Sequence, residues 1–286
     1  MSKKLILILF TFWAIQGNAQ LLWKISGNGL DKPSYLFGTH HAASDAICDS
    51  IAGFQEAFGG CSQLYGEIVF DEMQAMAQQV IAYIMLPQDS LLDVLLTAED
   101  YKLLDDILKN QMGMGAEQVK GIKPAALSAQ LTLPIAMQVF KNNGLPLDMI
   151  MQSQAKAKGM PVKGLEDVLF QTQLLFAAPL TEQVTGLSET LRNFDKAKQF
   201  NIEMCEAFMK QDLAGLYRSI KDQEFGFRPG QLEKLVYNRN RNWAGQLKAI
   251  LPQQPTFIVV GAGHLPGEQG LIALLREQGY TITPVR

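Results

Sequence analysis

The three histidines of the chain all fall in two short segments, Phe37-Gly38-Thr39-His40-His41 and Val260-Gly261-Ala262-Gly263-His264. Each segment follows an apolar run that reads as a strand and precedes a stretch that reads as a helix. In open α/β sheets, ligands bind where loops leave the carboxyl ends of strands. Glycine at such a turn lets the backbone bend so that the next side chain faces the crevice. Two turns of this kind, packed together, would put two imidazoles on one ligand. Two neutral imidazoles with a carboxylate suit a borderline divalent ion such as zinc, manganese or cobalt, and leave positions open for water and substrate. Only one of His40 and His41 can serve, because neighbours in an extended segment point to opposite sides.

A carboxylate is available in Tyr65-Gly66-Glu67-Ile68-Val69-Phe70, where Glu67 stands alone in an otherwise apolar strand. Burying a charge is costly unless it is paired or bound to a metal. Glu67 therefore reads as a ligand or a general base beside the histidines, or as one half of a salt bridge. A nucleotide reading of Gly261-x-Gly263 fails on spacing: the third glycine of that fingerprint would fall on Pro266, and the chain ends before an acidic residue could hold a ribose. The methionines, Met73 and Met76 among them, read as helix-core filler rather than copper ligands. Three cysteines, Cys48, Cys61 and Cys205, leave at least one unpaired; a Cys48–Cys61 bridge and two buried thiols are both open.

The elements that must position these residues lie at the two ends of the chain. Leu21 to Gly27 and Ser34 to Thr39 read as strands, followed by a helix from Ile47 to Phe58 and a strand from Gln63 to Phe70. Helical periodicity fills Asp71 to Lys158, with stop signals at Pro87, Pro124, Pro134 and Gly144 and a capping box starting at Thr97. A short strand, Met160 to Lys163, leads into more helices between Asp167 and Leu251. The chain then closes with a strand over Thr256 to Val260, a helix over Glu268 to Gln278 and a strand over Tyr280 to Pro284. The expected class is α/β: two half-sheets carrying strand-turn-helix Gly-x-x-His motifs at each end of the chain, flanked by helices and by a large helical middle segment.

With 48 % hydrophobic and 19 % charged residues among 286, the composition is that of a globular protein and excludes disordered and fibrous classes. Lys3 and Lys4, the apolar run from Leu5 to Ile15, and Gly17-Asn18-Ala19 have the layout of a secretory signal, so residues 1–19 are expected to be removed and 20–286 to form one domain. Removal would take the formal charge from -3 to -5, since two lysines and no acidic residue leave. An acidic chain of this kind does not suit a nucleic-acid partner. No other stretch suits a membrane span, so the expected location is extracytoplasmic, periplasmic or secreted, with the oligomeric state open.

Taken in order, Leu36-Phe37-Gly38-Thr39-x-His41, Glu67, Lys163-Gly164-Leu165-Glu166 with Gln171, Arg239-Asn240-x-x-Trp243-Ala244 and Gly261-x-x-His264 resemble the TraB/GumN family, to which the Tiki metalloproteases are related. The resemblance runs across nearly the whole chain after the signal. It implies metal ligation by His41 and His264 with Glu67, and with Glu166 and Asp148 as further ligands. It implies manganese, cobalt or zinc as the cofactor and hydrolysis of a peptide or protein substrate, with Glu67 and Arg239 as catalytic residues and Arg239 on the tetrahedral intermediate. A non-catalytic metal-, haem- or peptide-binding protein on the same scaffold is the alternative.

Overall fold

The computed structural model describes residues 20–228 and 230–286; the expected signal segment lies outside the described residues. Six strands, β1 (Leu22–Ser26), β2 (Ser34–Thr39), β3 (Gln63–Gly66), β4 (Val162–Gly164), β5 (Thr256–Gly261) and β6 (Thr281–Pro284), form one sheet in the order β4-β3-β5-β2-β1-β6. The class is α/β, and the two half-sheets expected from the ends of the chain are merged. Strand β5, from the end of the sequence, lies between β2 and β3 from its beginning and is parallel to both. Strand β4 is parallel to β3, so four neighbouring strands present their carboxyl ends to one side. Covered on both faces, β5 reads as an unbroken apolar run: Phe257, Ile258, Val259 and Val260 are all buried.

The close seam between the two ends depends on Gly38. A Cβ there would lie 3.0 Å from Ala262 Cα and 3.0 Å from Leu265 Cδ2, so glycine lets β2 pass closely by the turn that follows β5 without displacing it. The aromatic rings of Phe37, Phe54, Phe58 and Phe257 meet edge to face beneath it, Phe37–Phe54 at 5.0 Å and Phe58–Phe257 at 5.1 Å. A separate leucine-rich cluster, including Leu92, Leu104, Leu127, Leu131 and Leu187, holds the helical middle together.

Several expected boundaries move. The helix expected over Ile47 to Phe58 is two short helices, Ala46–Asp49 and Phe54–Gly59, separated at Gly53 with φ +70°. Pro134 does not stop a helix: Pro124–Val139 runs through it, and burial of Leu127, Leu131, Ile135 and Ala136 offsets the missing backbone donor. The strand expected over Gln63 to Phe70 ends at Gly66, and a helix starts at Phe70. Glu67 is thus one residue beyond the strand's carboxyl end. All three cysteines are free and buried, and burial pushes the Cys48 and Cys61 thiols up to about 12. Among the described residues no helix is long and apolar enough to cross a membrane.

Thr97 caps the helix Ala98–Met112 by accepting the Asp100 N–H at 3.1 Å. The Asp100 carboxylate, 1 % exposed, accepts two bonds from Arg192, each 2.8 Å. Hydrogen bonding from Arg192, opposed by burial, holds the Asp100 carboxyl below its ordinary value. A depressed carboxyl stabilises the fold above its unfolded pKa, about 3.9, and that contribution is lost as pH falls through the folded value. Arg192→Ala is therefore expected to lower the urea midpoint clearly at pH 6, with the difference from the unsubstituted protein shrinking below pH ~3.9. An equal difference at pH 6 and at pH 2 would show that this pair does not stabilise by charge.

Candidate active site

The parallel strands β2, β5, β3 and β4 deliver His41, His264, Glu67 and Glu166 respectively, each a few residues past the strand's end. Register explains their convergence, since Thr39 pairs with Gly261, Val259 with Gly66, and Gly66 with Gly164. Residues separated by up to 223 positions are brought to one sheet end because β5 inserts between strands of the opening segment. His41, Glu67 and Asp148 line a cavity of about 210 Å³ at that end.

Each ligand-type histidine is held through Nδ1. His41 Nδ1 lies 2.8 Å from Asp148 Oδ2, and the other carboxylate oxygen accepts the Thr39 hydroxyl at 2.5 Å. Asp148, in the first turn of the helix Leu147–Ala157, draws His41 toward its protonated form, up to about 9. His264 Nδ1 lies 2.7 Å from Asn240 Oδ1, while the Asn240 amide donates to the carbonyls of His264 and Gln269. Burial, with Arg239 and His41 adding to it against Glu67, pushes His264 down to about 4, so it is neutral near pH 7. Arg239 can only donate, and its Nη1 lies 3.1 Å from His264 Nε2. The proton of neutral His264 therefore resides on Nδ1 and the lone pair on Nε2.

Glu67 is fixed on both oxygens. Oε1 accepts the Gly261 N–H at 2.8 Å, and Oε2 accepts from Arg239 and from Gln171 Nε2. Burial alone would raise its pKa, but His264, Arg239, His41 and the Gly261 N–H outweigh it and hold Glu67 at about 2. Because His264 is uncharged near pH 7, the positive charge acting there comes from Arg239 and His41. Glu67 Oε1 stands 3.8 Å from His264 Nε2.

Arg239 lies on the helix Asn238–Ile250, directly after the π-helical turn Glu233–Tyr237. Nε donates to Glu166, Nη1 reaches Leu235 O and His264, and Nη2 donates to Glu67 and Glu166. All five guanidinium N–H groups are engaged, so none is left for a substrate oxyanion in this arrangement. The guanidinium also lies over Trp243 at 4.6 Å. Glu166 is bound to Arg239 and Gln171.

His40 turns away from His41, with its ring 4.9 Å from Phe140 and 5.6 Å from Phe208. Burial, with His41 adding to it against Asp148, lowers it to about 4, so it is a neutral, half-buried ring packed against Phe140 and Phe208. Among the described residues, no group of three or more His, Cys, Asp and Glu side chains closes around one point as a metal site would. Three contributors were not legible as such: Asn240 behind His264, Thr39 behind Asp148, and Gln152. The buried Gln152 amide donates to Ile68 O at 2.7 Å and accepts from Phe70 N at 3.1 Å, fixing the segment that carries Glu67. Each is a polar residue that is buried in the fold, and only its contacts give it a role.

The profile described as the TraB/PrgY/gumN family matches residues 21–284. Metalloprotease TIKI2 of Danio rerio is 22% identical over 313 residues, covering 91% of this chain and 60% of its own length. Metalloprotease TIKI1 of Homo sapiens is 23% identical over 311 residues, covering 91% and 61%. Metalloprotease TIKI homolog of Nematostella vectensis is 21% identical over 309 residues, covering 89% and 65%. The chain spans about three fifths of the length of these relatives. No solved structure matches the chain.

Proposed function

The chain belongs to the TraB/PrgY/gumN family, and from that premise and the geometry of the sheet end we propose that it is an exported, divalent-metal-dependent peptidase. The observation that carries the reading is the pairing of two Nδ1-anchored histidines, His41 and His264, with the ionised Glu67 at one end of the sheet. Histidines that ligate metals are held this way, the ring N–H given to a carboxylate or an amide and Nε2 left to the ion.

The donor chemistry fits the ion that the resemblance implies. Two donors each ~2.1 Å from a tetrahedral ion lie about 3.4 Å apart, close to the 3.8 Å between Glu67 Oε1 and His264 Nε2. His41, His264 and Glu67 would hold the ion, His264 only when Arg239 Nη1 leaves its Nε2 and His41 only when its Nε2 proton is lost. Asp148 has both oxygens engaged and orients His41, and Glu166 holds Arg239; either could become a ligand only by giving up those partners. When bound, manganese, cobalt or zinc would supply Lewis acidity toward the peptide carbonyl and make water easier to deprotonate.

The protein's own groups divide the remaining work. A carboxylate held near 2 is a weak base at neutral pH, so Glu67 serves better in holding positive charge than in taking a proton. Arg239, with every N–H in use, sets the spacing of Glu67, Glu166 and His264. The lengths matched support a shared domain, while the substrates of the longer relatives do not transfer to this chain.

The test is metal content by mass spectrometry on untagged protein, followed by a peptide cleavage screen with manganese, cobalt and zinc. About one ion per chain and metal-dependent turnover are expected. Bound metal without turnover would favour the non-catalytic binding reading. No bound metal after incubation with any of the three would remove the metallopeptidase reading.

A further inference from the structure

The cavity beside His41 and Glu67 has a mixed lining. His41, Glu67 and Asp148 contribute charged groups, and Ile68, Phe70, Met73 and Pro146 contribute apolar wall. Ile68, Phe70 and Met73 belong to none of the hydrophobic clusters found among the described residues. Met73, expected as helix-core filler, instead faces this space. Ile68 is itself buried, whereas Phe70 and Met73 are half-buried; apolar side chains left neither fully packed nor fully in water have packing partners missing, and a ligand can supply them.

Size and charge narrow the occupant. A cavity of about 210 Å³ is below the ~300 Å³ at which sites for whole small molecules begin. It equals roughly seven waters at ~30 Å³ each, enough for one large side chain. A charged occupant would find no counter-charge to spare: Glu67 is paired with Arg239, and Asp148 with His41. The two amides of the lining are also committed, Gln152 to the backbone of Ile68 and Phe70, and Gln171 to Glu67 and Glu166. A charged group there would lose water without gaining a partner.

We propose that this cavity is the specificity pocket of the site and takes one bulky apolar side chain, such as leucine, methionine or phenylalanine, of a peptide laid across His41 and Glu67. The proposal rests on the peptidase reading for its substrate class. The pocket wall and the candidate ligand share the segment Glu67–Met73, which Gln152 fixes, so the side chain in the pocket would set the register of the peptide against the reacting end. Methionine in the wall suits occupants of differing shape, because its unbranched side chain repacks at little cost.

The experiment measures binding of fluorescein-labelled, end-blocked peptides Ala-Ala-X-Ala-Ala, with X as leucine, methionine, phenylalanine, alanine, aspartate or lysine, by anisotropy with manganese present. Cleavage of the same mixtures is read by mass spectrometry. The apolar large residues are expected to bind about tenfold or more tightly than alanine, with aspartate and lysine weakest, and Met73→Asp is expected to abolish the preference. Met73 lies partly exposed on a short surface helix, so this substitution leaves the core alone. Met73→Ala is the second variant and should shift the preference toward larger X. Equal binding for all X, no binding of any peptide, or an unchanged order in Met73→Asp would overturn the pocket. Selective binding without cleavage would support the pocket while removing the peptidase reading, and cleavage indifferent to X would do the reverse.

Discussion

Arg239→Met is expected to cost the protein about 3–5 kcal/mol, because it leaves two carboxylates facing one another with their shared cation gone. The side chains concerned are close to dry: Arg239 is 8 % exposed, Glu166 2 % and Glu67 11 %. A methionine fills much of the arginine stem's volume and keeps contact with Trp243, so the loss reports charge rather than a cavity. The melting temperature should fall by roughly 10 °C, measured by circular dichroism at pH 7. The same substitution made with Glu166→Gln should recover part of this, because removing one carboxylate relieves the repulsion the first change exposes. An unchanged melting temperature in Arg239→Met would mean the network is not part of what holds the sheet end together.

His41→Ala should lower kcat/KM for any cleaved peptide by about 10³ or more, if the ion it would help to hold supplies several kcal/mol of transition-state stabilisation. His264→Ala should lose as much, but the two are not equally informative. The His41 side chain is 67 % exposed, so its loss opens no cavity, and the partner it leaves behind is the Asp148 carboxylate, whose change can be read in the melting temperature. Loss of activity there, with melting unchanged, isolates the chemistry. The His264 side chain is 8 % exposed and its ring lies 4.6 Å from Trp243, tilted by 45°. Its removal strands the Asn240 oxygen and an Arg239 N–H, at about 1–3 kcal/mol, so lost activity would mix two causes. Asp148→Asn completes the series: it keeps the shape but weakens the hold on His41, and a 10–100-fold loss is expected. Full activity in His41→Ala would falsify the two-histidine site.

The arrangement puts its demands on the seam between the chain's two ends. Strand β5 comes near the end of the chain yet lies between β2 and β3 from its beginning, so the site does not exist until the chain closes. The leucine cluster of the helical middle is separate from the sheet's core. The middle segment reaches the site through the helix Leu147–Ala157, which packs Leu147, Met151 and Ala155 into the sheet's core and carries Asp148 and Gln152, and through Gln171.

The sequence by itself determined the strands at the two ends, the two Gly-x-x-His turns, and Glu67 as a carboxylate with too little water around it. These are local properties: short apolar runs, glycine before a polar turn, a charge in an apolar segment. Tertiary structure alone decided that β5 inserts between β2 and β3, because parallel pairing joins residues far apart and leaves no short-range mark. It likewise decided what Arg239 does. A lone arginine on a helix reads equally as a substrate clamp or a surface charge, and only the partners of its five N–H groups, Glu67, Glu166, Leu235 and His264, show a group already spent on its neighbours. Asp148 and Met73 changed reading for the same reason. The chemistry of a side chain is written in the sequence, but whether its oxygens, protons or apolar surface remain free depends on what the fold brings against them.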